Sequence, residues 1–329
     1  MKHSRRALAV ALAAALPLAN LSAPAAEAQS LSSSPEFEAL LKRYAPGVPP
    51  ELVQALGVLA AVAASIAIAI PLAKSGEVPS TTREHTHSLQ VGGRSRTYDV
   101  VLPHGFTPEQ SYPVVIGFGG WQHTSRQTRD YENLESRFPD AIVVYGQGVN
   151  NAWGGAPYAA TSVSDDVAYT RAVLDDVASR YHADTSRTVA VGLSNGGGMA
   201  AALACHAPET VDAVATVAGA FYSPTVTGCT GGRVPALIMH GTDDGVVGYG
   251  GGTRHGARYE SVDAVARTFA RNNGCSMVAS QSRSGNVTSF DFEGCSAPTR
   301  VERVEGGGHT WFTTPNATAA TAQFLRQFL

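Results

Sequence analysis

From about residue 85 onward, short apolar runs alternate with longer stretches of mixed polarity. The two-residue spacer Gly92-Gly93 predicts a β-hairpin with strands over 87–91 and 94–102. Continuous short apolar runs are typical of buried parallel strands. Such runs occupy Val114–Phe118, Ala141–Tyr145, Thr188–Leu193, Val211–Val217, Ala236–Met239 and Val301–Val304.

Helices are predicted between these strands. Within 164–181 most apolar residues fall on one stripe of a helix, and Ser164 can cap its N-terminus. Strands that alternate with helices favour a mostly parallel, doubly wound sheet with helices on both faces. The sequence therefore predicts an α/β domain over residues 85–329. The further helices are predicted over 196–205, 261–272 and 317–328.

Composition, charge and the lack of metal-binding motifs argue against a disordered chain, a nucleic-acid partner and a metal or redox cofactor. The chain has 329 residues, of which 44% are apolar, so it has enough apolar surface to bury and is not a disordered chain. Its formal charge of −3 gives no basic signal, so nucleic acid is not an expected partner. The sequence contains no Cys-x-x-Cys and no His-Glu-x-x-His, and we therefore expect neither a metal nor a redox cofactor.

The first 28 residues have the three-part layout of a secretory signal peptide. Three cations within residues 1–6 precede an apolar stretch over 7–21, and Ala26-Glu27-Ala28 fits an A-x-A cleavage site. We therefore expect export to the outside of the cell or to the cell envelope, with residues 1–28 removed. A membrane anchor is the alternative interpretation of the same segment.

Four cysteines agree with export, because disulfides persist mainly in oxidising compartments. They fall in two local pairs, and bonding each cysteine to its neighbour along the chain closes the shortest loops of the three possible connectivities. We therefore expect the bonds Cys205–Cys229 and Cys275–Cys295. Four buried free thiols are the alternative.

A second apolar segment, residues 52–73, carries no charge over 22 residues and is long enough to span a bilayer. A cleaved signal followed by a spanning helix would leave the rest of the chain in the cytoplasm, which conflicts with the expected disulfides. We therefore expect residues 29–84 to be a linker, with an apolar helix that lies on a membrane or docks on the folded domain. A true membrane span is the alternative.

The strongest chemical motif is Gly192-Leu193-Ser194-Asn195-Gly196, which stands between a predicted strand and a predicted helix. A serine in this G-x-S-x-G context sits on a sharp turn with its hydroxyl exposed above the sheet edge. We therefore expect Ser194 to be a nucleophile. An ordinary glycine-rich turn is the alternative.

A serine hydroxyl needs a base, and the base needs an acid that orients it. In this type of fold the three follow one another as Ser, Asp or Glu, then His. His309 follows a predicted strand and three glycines, so it is the expected base. Asp243 and Asp244 both follow the strand that ends at about residue 239, and spacing alone leaves both open as the acid.

An oxyanion formed at the serine needs two backbone N–H donors. Asn195, directly after the serine, is expected to supply one, and Gly120 or Trp121, after the strand that ends at Phe118, the other. Trp153 and Trp311 fall in predicted loops at the same sheet edge. We expect them to line the substrate site together with Trp121, with packing in the core as the alternative.

Over about residues 86–329 the chain resembles the polyhydroxybutyrate-depolymerase-like esterases, a group in the same carbohydrate-esterase family as many feruloyl and acetylxylan esterases. The resemblance implies an α/β-hydrolase fold, and it favours Asp244 over Asp243 as the acid. Both cysteine pairs also fall where this family tends to have disulfides. The matching segments are Ser164-Asp165-Asp166-Val167, Gly192-Leu193-Ser194-Asn195-Gly196-Gly197, His240-Gly241-Thr242-x-Asp244, Asn273-Gly274-Cys275 and Gly306-Gly307-Gly308-His309-Thr310-Trp311.

The sequence therefore predicts an exported serine esterase that cleaves carboxylic esters of small molecules or polymers through an acyl-serine intermediate. Polyhydroxyalkanoate, feruloyl and acetyl esters are the substrates that the resemblance implies. An envelope acyltransferase that uses the same three residues is one alternative, and a non-catalytic binding module is the other.

Overall fold

A computed structural model describes residues 83–329. The predicted signal peptide (1–28) and nearly all of the predicted linker, including its apolar segment (52–73), lie outside this range.

The strands are β1 (Glu84–Val91), β2 (Arg94–Val101), β3 (Tyr112–Phe118), β4 (Ile142–Gly146), β5 (Ala183–Leu193), β6 (Ala213–Val217), β7 (Ala236–Gly241), β8 (Gly252–Arg254), β9 (Ala257–Tyr259), β10 (Ala279–Ser284), β11 (Val287–Phe292) and β12 (Thr299–Val304). The helices are α1 (Ser125–Glu132), α2 (Val163–Tyr181), α3 (Asn195–His206), α4 (Ser223–Val226), α5 (Val262–Asn272) and α6 (Ala317–Leu325).

Ten of these strands form one sheet in the order β1-β2-β4-β3-β5-β6-β7-β12-β11-β10. The six central strands, from β4 to β12, are parallel to one another. Antiparallel strands extend the sheet at both edges. The fold is therefore the mostly parallel, doubly wound α/β sheet that the sequence predicts.

The core lies on both faces of this sheet, because successive residues of a strand point to opposite sides. In β3, Val114 and Ile116 pack into one hydrophobic cluster and Val115 into the other. Helices α2, α3 and α5 cover the first face, and α6 covers the second. Burial on both faces explains why the central strands read as continuous apolar runs.

The sequence patterns missed several polar elements. Helix α1 has no apolar stripe, and its N-terminus is instead fixed by a capping box between Thr124 and Gln127. Strands β10 and β11 are mostly polar and partly exposed, and they are joined through Gly285-Asn286. The short hairpin β8–β9 has its turn at His255-Gly256. Hydrophobic periodicity cannot detect elements that bury so little.

One helix boundary also differs from the prediction. Ser162, rather than Ser164, caps α2: its hydroxyl accepts a hydrogen bond from the Asp165 N–H, and the Asp165 side chain bonds back to the Ser162 N–H. The reciprocal pair satisfies two N–H groups that have no partner within the helix, which explains why the helix begins one residue earlier. Within residues 83–329, no helix is both long and apolar enough to cross a bilayer.

Candidate active site

Ser194 stands between β5 and α3 on a sharply bent backbone, with φ 52° and ψ −117°. Such a left-handed φ is rare for a residue with a side chain, and here it lifts the hydroxyl out of the line of the strand. The turn needs glycine on both sides. A Cβ on Gly192 would lie 2.2 Å from the Gly196 carbonyl oxygen, and one on Gly196 would lie 1.9 Å from the Phe118 carbonyl oxygen.

His309 lies in the loop after β12, and its imidazole reaches Ser194. Its Nε2 atom is 2.8 Å from the Ser194 Oγ atom, and its Nδ1 atom is 2.8 Å from Oδ2 of Asp244. Because the carboxylate can only accept, Nδ1 carries the proton and Nε2 is free to accept from the hydroxyl. The structure therefore brings the predicted serine, histidine and one of the two aspartates into a single chain of hydrogen bonds.

Asp244 is the aspartate in this chain. Its side chain is buried, and Oδ1 accepts hydrogen bonds from the backbone N–H groups of Val246 and Val247. Burial raises the pKa of Asp244, but hydrogen bonds from His240, His309 and Val247 outweigh it and hold the pKa well below its usual range. The carboxylate is therefore ionised at neutral pH.

The neighbouring Asp243 points elsewhere. It is exposed, and its Oδ1 atom accepts a hydrogen bond from the Thr242 hydroxyl at 3.0 Å. Among the hydrogen bonds of residues 83–329, only Asp244 of the two reaches His309. The geometry thus agrees with the choice of Asp244 that the family resemblance implied.

His240 belongs to the site as well, although the sequence did not predict a role for it. Its fully buried Nε2 atom lies 3.2 Å from Oδ2 of Asp244 and 2.8 Å from the carbonyl oxygen of Val247. Both neighbours are acceptors, so Nε2 carries the hydrogen. The spacing of His240 and Asp244, four residues apart at the end of β7, was the signal that could have revealed this contact.

The predicted oxyanion donors also lie at the serine. Asn195 opens α3, where backbone N–H groups have no partner within the helix. Gly120 passes close to the serine, since a Cβ built on it would lie 3.5 Å from the Ser194 Cβ atom. Trp121 follows it and is 37% exposed in the adjoining cavity.

Trp153 does not line the substrate site, contrary to the prediction. Only 2% of it is exposed, and its indole N–H donates to the Gly119 carbonyl oxygen at 3.0 Å. Its backbone N–H donates to the side-chain oxygen of Asn195 at 2.7 Å, and the Asn195 amide donates back at 3.1 Å. Trp153 therefore connects the segment that contains Gly119 and Gly120 with Asn195, and these two segments carry the predicted oxyanion donors.

Trp311 is also buried, with 3% exposed, so its predicted place in the substrate wall is wrong as well. Its indole N–H donates to the Thr318 hydroxyl at 2.9 Å, and its backbone N–H donates to the Tyr131 hydroxyl at 3.2 Å. The Tyr131 hydroxyl also lies 2.7 Å from the Thr310 hydroxyl. These contacts hold the His309 loop against α1 and α6.

A cavity of about 430 Å³ opens over Ser194 and His309. Its wall is largely aromatic: the Trp121 and Tyr158 rings stack at 4.3 Å, and His255 meets both edge-on at 5.3 Å. Sequence reasoning missed Tyr158 and His255, which come from two distant loops. The lining residues are Gly120, Trp121, His123, Gln127, Tyr131, Tyr158, Leu193, Ser194, Ala220, Tyr222, Val246, Val247, Arg254, His255, His309 and Thr310.

Both expected cysteine pairs lie at bonding distance. The sulfur atoms are 2.03 Å apart in Cys205–Cys229 and 2.02 Å apart in Cys275–Cys295. Residues 83–329 contain no group of three or more metal-ligating side chains that could hold an ion.

Comparisons with known proteins agree with this geometry. The model of the Esterase family matches residues 89–284. Feruloyl esterase C from Emericella nidulans is 30% identical over 230 residues, which are 66% of this chain and 77% of the relative. Feruloyl esterase D from Neurospora crassa is 28% identical over 262 residues, 74% of this chain and 83% of the relative.

Solved structures share the fold. An acetyl xylan esterase from Aspergillus awamori matches with a TM-score of 0.55 at 14% identity, over 73% of this chain and 99% of that one. A ferulic acid esterase from Anaeromyces mucronatus matches with a TM-score of 0.51 at 18% identity, over 78% of this chain and 92% of that one. Together with the family match over more than half of its length, these findings show that the chain belongs to the Esterase family and is a feruloyl esterase-like carboxylic ester hydrolase with an α/β-hydrolase fold.

Proposed function

We propose that this protein is an exported esterase that cleaves its substrates through an acyl intermediate on Ser194. One observation carries the proposal: an unbroken chain of hydrogen bonds runs from the Ser194 hydroxyl through His309 to the buried carboxylate of Asp244, at the base of an open cavity. Nucleophile, base and orienting acid are thus within reach of one another before any substrate is present.

In the first half of the reaction, the Ser194 Oγ atom attacks the ester carbonyl and passes its proton to Nε2 of His309. The carbonyl oxygen becomes an oxyanion. The backbone N–H of Asn195 and that of Gly120 or Trp121 donate to it, each worth about 3 kcal/mol in the transition state. His309 then gives the proton to the alcohol oxygen, the ester C–O bond breaks, and the alcohol leaves.

In the second half, His309 takes a proton from water, and the resulting hydroxide attacks the acyl carbonyl. The proton returns to the Ser194 Oγ atom as the carboxylic acid leaves. Asp244 remains ionised throughout, because its hydrogen bonds hold its pKa well below neutrality despite burial. Its negative charge stabilises the imidazolium that forms on His309 in both halves.

The relatives indicate the substrate class. Those reported above are feruloyl esterases by name, and the structural neighbours include an acetyl xylan esterase. The stacked rings of Trp121 and Tyr158 in the cavity wall offer a flat surface that suits an aromatic acyl group. We therefore place feruloyl esters first, then acetyl esters, and then polyhydroxyalkanoates, which the sequence resemblance suggested.

A substrate panel tests this proposal. It contains 4-nitrophenyl esters of rising chain length, methyl ferulate and a polyhydroxybutyrate film, each incubated with the wild-type chain and with Ser194→Ala. We expect methyl ferulate to be cleaved with the highest kcat/KM and the variant to be inactive on all of them. A fluorophosphonate probe should label the peptide that contains Ser194. Cleavage of methyl ferulate at a wild-type rate by Ser194→Ala would overturn the proposed mechanism.

We further propose that the hydrolase domain lies outside the cytoplasm. The signal-peptide pattern of residues 1–28 and two cysteine pairs at bonding distance support this location. The apolar segment 52–73 would then give weak, reversible contact with the cell envelope. N-terminal sequencing of the secreted or envelope-bound protein should begin at Gln29. Digestion of the domain by protease only after spheroplasts are lysed would contradict the proposal.

A further inference from the structure

The residues that line the cavity over Ser194 include a positively charged side chain and no negatively charged one. None of the described residues that line it is an Asp or a Glu, whereas Arg254 contributes a permanent positive charge. The Asp244 carboxylate does not line the cavity, because it lies behind His309 and is buried. A negative group that enters this space therefore meets a cation and no competing carboxylate.

Arg254 differs in this respect from the other arginine on the same hairpin. Arg258 forms an ion pair with Glu260 at 3.2 Å. Within residues 83–329, no carboxylate lies within ion-pair distance of Arg254. Its charge is nevertheless felt inside the cavity: burial raises the pKa of Tyr158 and of Tyr222, and the nearby guanidinium of Arg254 partly offsets both increases.

The hairpin that carries Arg254 is anchored to the domain. Its turn at His255-Gly256 has positive φ at both residues, 51° and 75°, as a tight two-residue turn requires. The Tyr259 hydroxyl accepts a hydrogen bond from the Gly248 N–H at 3.0 Å, and the backbone after the hairpin bonds to the carbonyl oxygen of Phe221 at 2.8 Å. Arg254 is therefore presented to the cavity from a fixed strand.

We infer that Arg254 binds an anionic group of the substrate, so that the esterase prefers esters that carry a free carboxylate. The inference rests on the proposed function, which it refines. The flat stack of Trp121 and Tyr158 holds the apolar part of the ester, and the guanidinium pairs with the carboxylate at its far end. Binding costs no existing ion pair, since Arg254 has none to give up among the described residues.

A pair of esters that differ only in charge tests the inference. Methyl 4-carboxycinnamate carries the carboxylate, and methyl 4-carbamoylcinnamate replaces it with a neutral amide of the same shape. We expect the full-length wild-type chain to show a kcat/KM about threefold to fivefold higher for the carboxylate, the size typical of an exposed ion pair. Raising the salt concentration from 20 mM to 500 mM should reduce this preference, because exposed charges are screened.

Two variants on the same hairpin distinguish a specific effect of Arg254 from a general effect of net charge. Arg254→Gln should bring the ratio of kcat/KM for the carboxylate to kcat/KM for the amide down to about one. Arg258→Gln removes an equal charge that is already paired with Glu260 and does not line the cavity, so it should keep the wild-type preference.

The outcomes are distinct. Equal rates on both esters in the wild type, or a preference that survives Arg254→Gln, would overturn the anionic subsite while the esterase mechanism stands. A loss of the preference in Arg258→Gln as large as that in Arg254→Gln would overturn it as well, because the effect would then reflect net charge. Failure of the wild type to cleave either ester, methyl ferulate or any 4-nitrophenyl ester would refute the proposed function itself.

Discussion

The Nε2 atom of His240 lies 3.2 Å from Oδ2 of Asp244, the same carboxylate oxygen that His309 contacts at 2.8 Å. Two imidazoles thus share one oxygen, and two backbone N–H groups hold the other. Four donors around a buried carboxylate fix its plane and keep it ionised. In this arrangement His240 is a positioning residue, because it acts through Asp244 and has no contact with the serine.

Replacing His240 by Phe should test this role. The variant loses one donor, so the low pKa of Asp244 should rise toward its usual value and the carboxylate should hold His309 less firmly. We expect kcat to fall about tenfold at pH 8 with little change in KM. A raised pKa leaves less Asp244 ionised in acid, so the deficit should grow as the pH falls toward the usual aspartate pKa of about 3.9.

His240→Gln is the matched control, because its amide N–H can reach the same oxygen and should restore part of the activity. A purely structural role for His240 would lower the thermal stability of both variants and leave the shape of the pH profile unchanged. Activity of His240→Phe that is reduced by the same factor at every pH would therefore contradict the positioning role.

The neighbouring aspartates offer a second test. Asp244→Asn should reduce kcat by about three to four orders of magnitude, because the amide no longer holds the histidine in its working tautomer. Asp243→Asn should stay within about twofold of wild type, since Asp243 is exposed and its side chain bonds only to the Thr242 hydroxyl among the described residues. Steady-state kinetics on methyl ferulate would measure kcat for both variants. A larger loss of kcat in Asp243→Asn than in Asp244→Asn would identify Asp243 as the acid.

The parts of this domain that bury apolar surface could be predicted from the sequence. The central strands and the turn at Ser194 follow from continuous apolar runs and from glycines that no larger residue could replace. The polar helix α1 and the hairpin β8–β9 could not, because they leave no periodic apolar pattern. The aromatic cavity wall was also missed, since Tyr158 and His255 meet only after the chain has folded.

The tryptophans show why residue type alone misleads. All three stand in loops near the carboxyl edge of the sheet, yet only Trp121 faces the cavity. Burial of Trp153 and Trp311 leaves no indole N–H unpaired, because each has an acceptor inside the domain, the Gly119 carbonyl and the Thr318 hydroxyl. Sequence reasoning cannot locate such acceptors, because they belong to other parts of the chain.

Trp153→Phe should impair catalysis without removing any side chain that touches the substrate. The change leaves the buried Gly119 carbonyl without its donor, at a cost of about 1–3 kcal/mol, and loosens the loop that carries Gly120. We expect kcat to fall roughly tenfold with KM nearly unchanged. A lowered melting temperature with kcat unchanged from the wild type would contradict a link between Trp153 and the oxyanion site.

The two disulfides should be detectable by peptide mapping without reduction. We expect the Cys205–Cys229 and Cys275–Cys295 bonds, which join residues 24 and 20 positions apart. Loops of this length give about 3 kcal/mol each in the chain-entropy model, so reduction should lower the melting temperature by several degrees. Four thiols that react with iodoacetamide in the native protein would contradict both bonds and weaken the case for export.

Glu132, the last residue of α1, is fully buried, and neither of its carboxylate oxygens has a hydrogen-bond partner among residues 83–329. Burial raises its pKa well above the usual range, because the carboxylate would lose its solvation. The unfolded chain ionises this group above about pH 4.3, and the folded chain does so only at a higher pH. Folding therefore loses stability as the pH rises between the two pKa values, by about 1.4 kcal/mol per pH unit.

Glu132→Gln removes this ionisation and should raise the melting temperature at pH 7.5 while leaving it nearly unchanged at pH 4, where the wild-type side chain is mostly neutral in both states. Glu135→Gln is the control, because Glu135 lies three residues away and forms an ion pair with Arg129 at 2.5 Å. That variant should lose stability at pH 7.5, the opposite sign. Thermal unfolding of both variants and the wild type should be followed at pH 4 and at pH 7.5. A change in melting temperature on Glu132→Gln that is the same at both pH values would mean that Glu132 affects stability through packing and not through its ionisation.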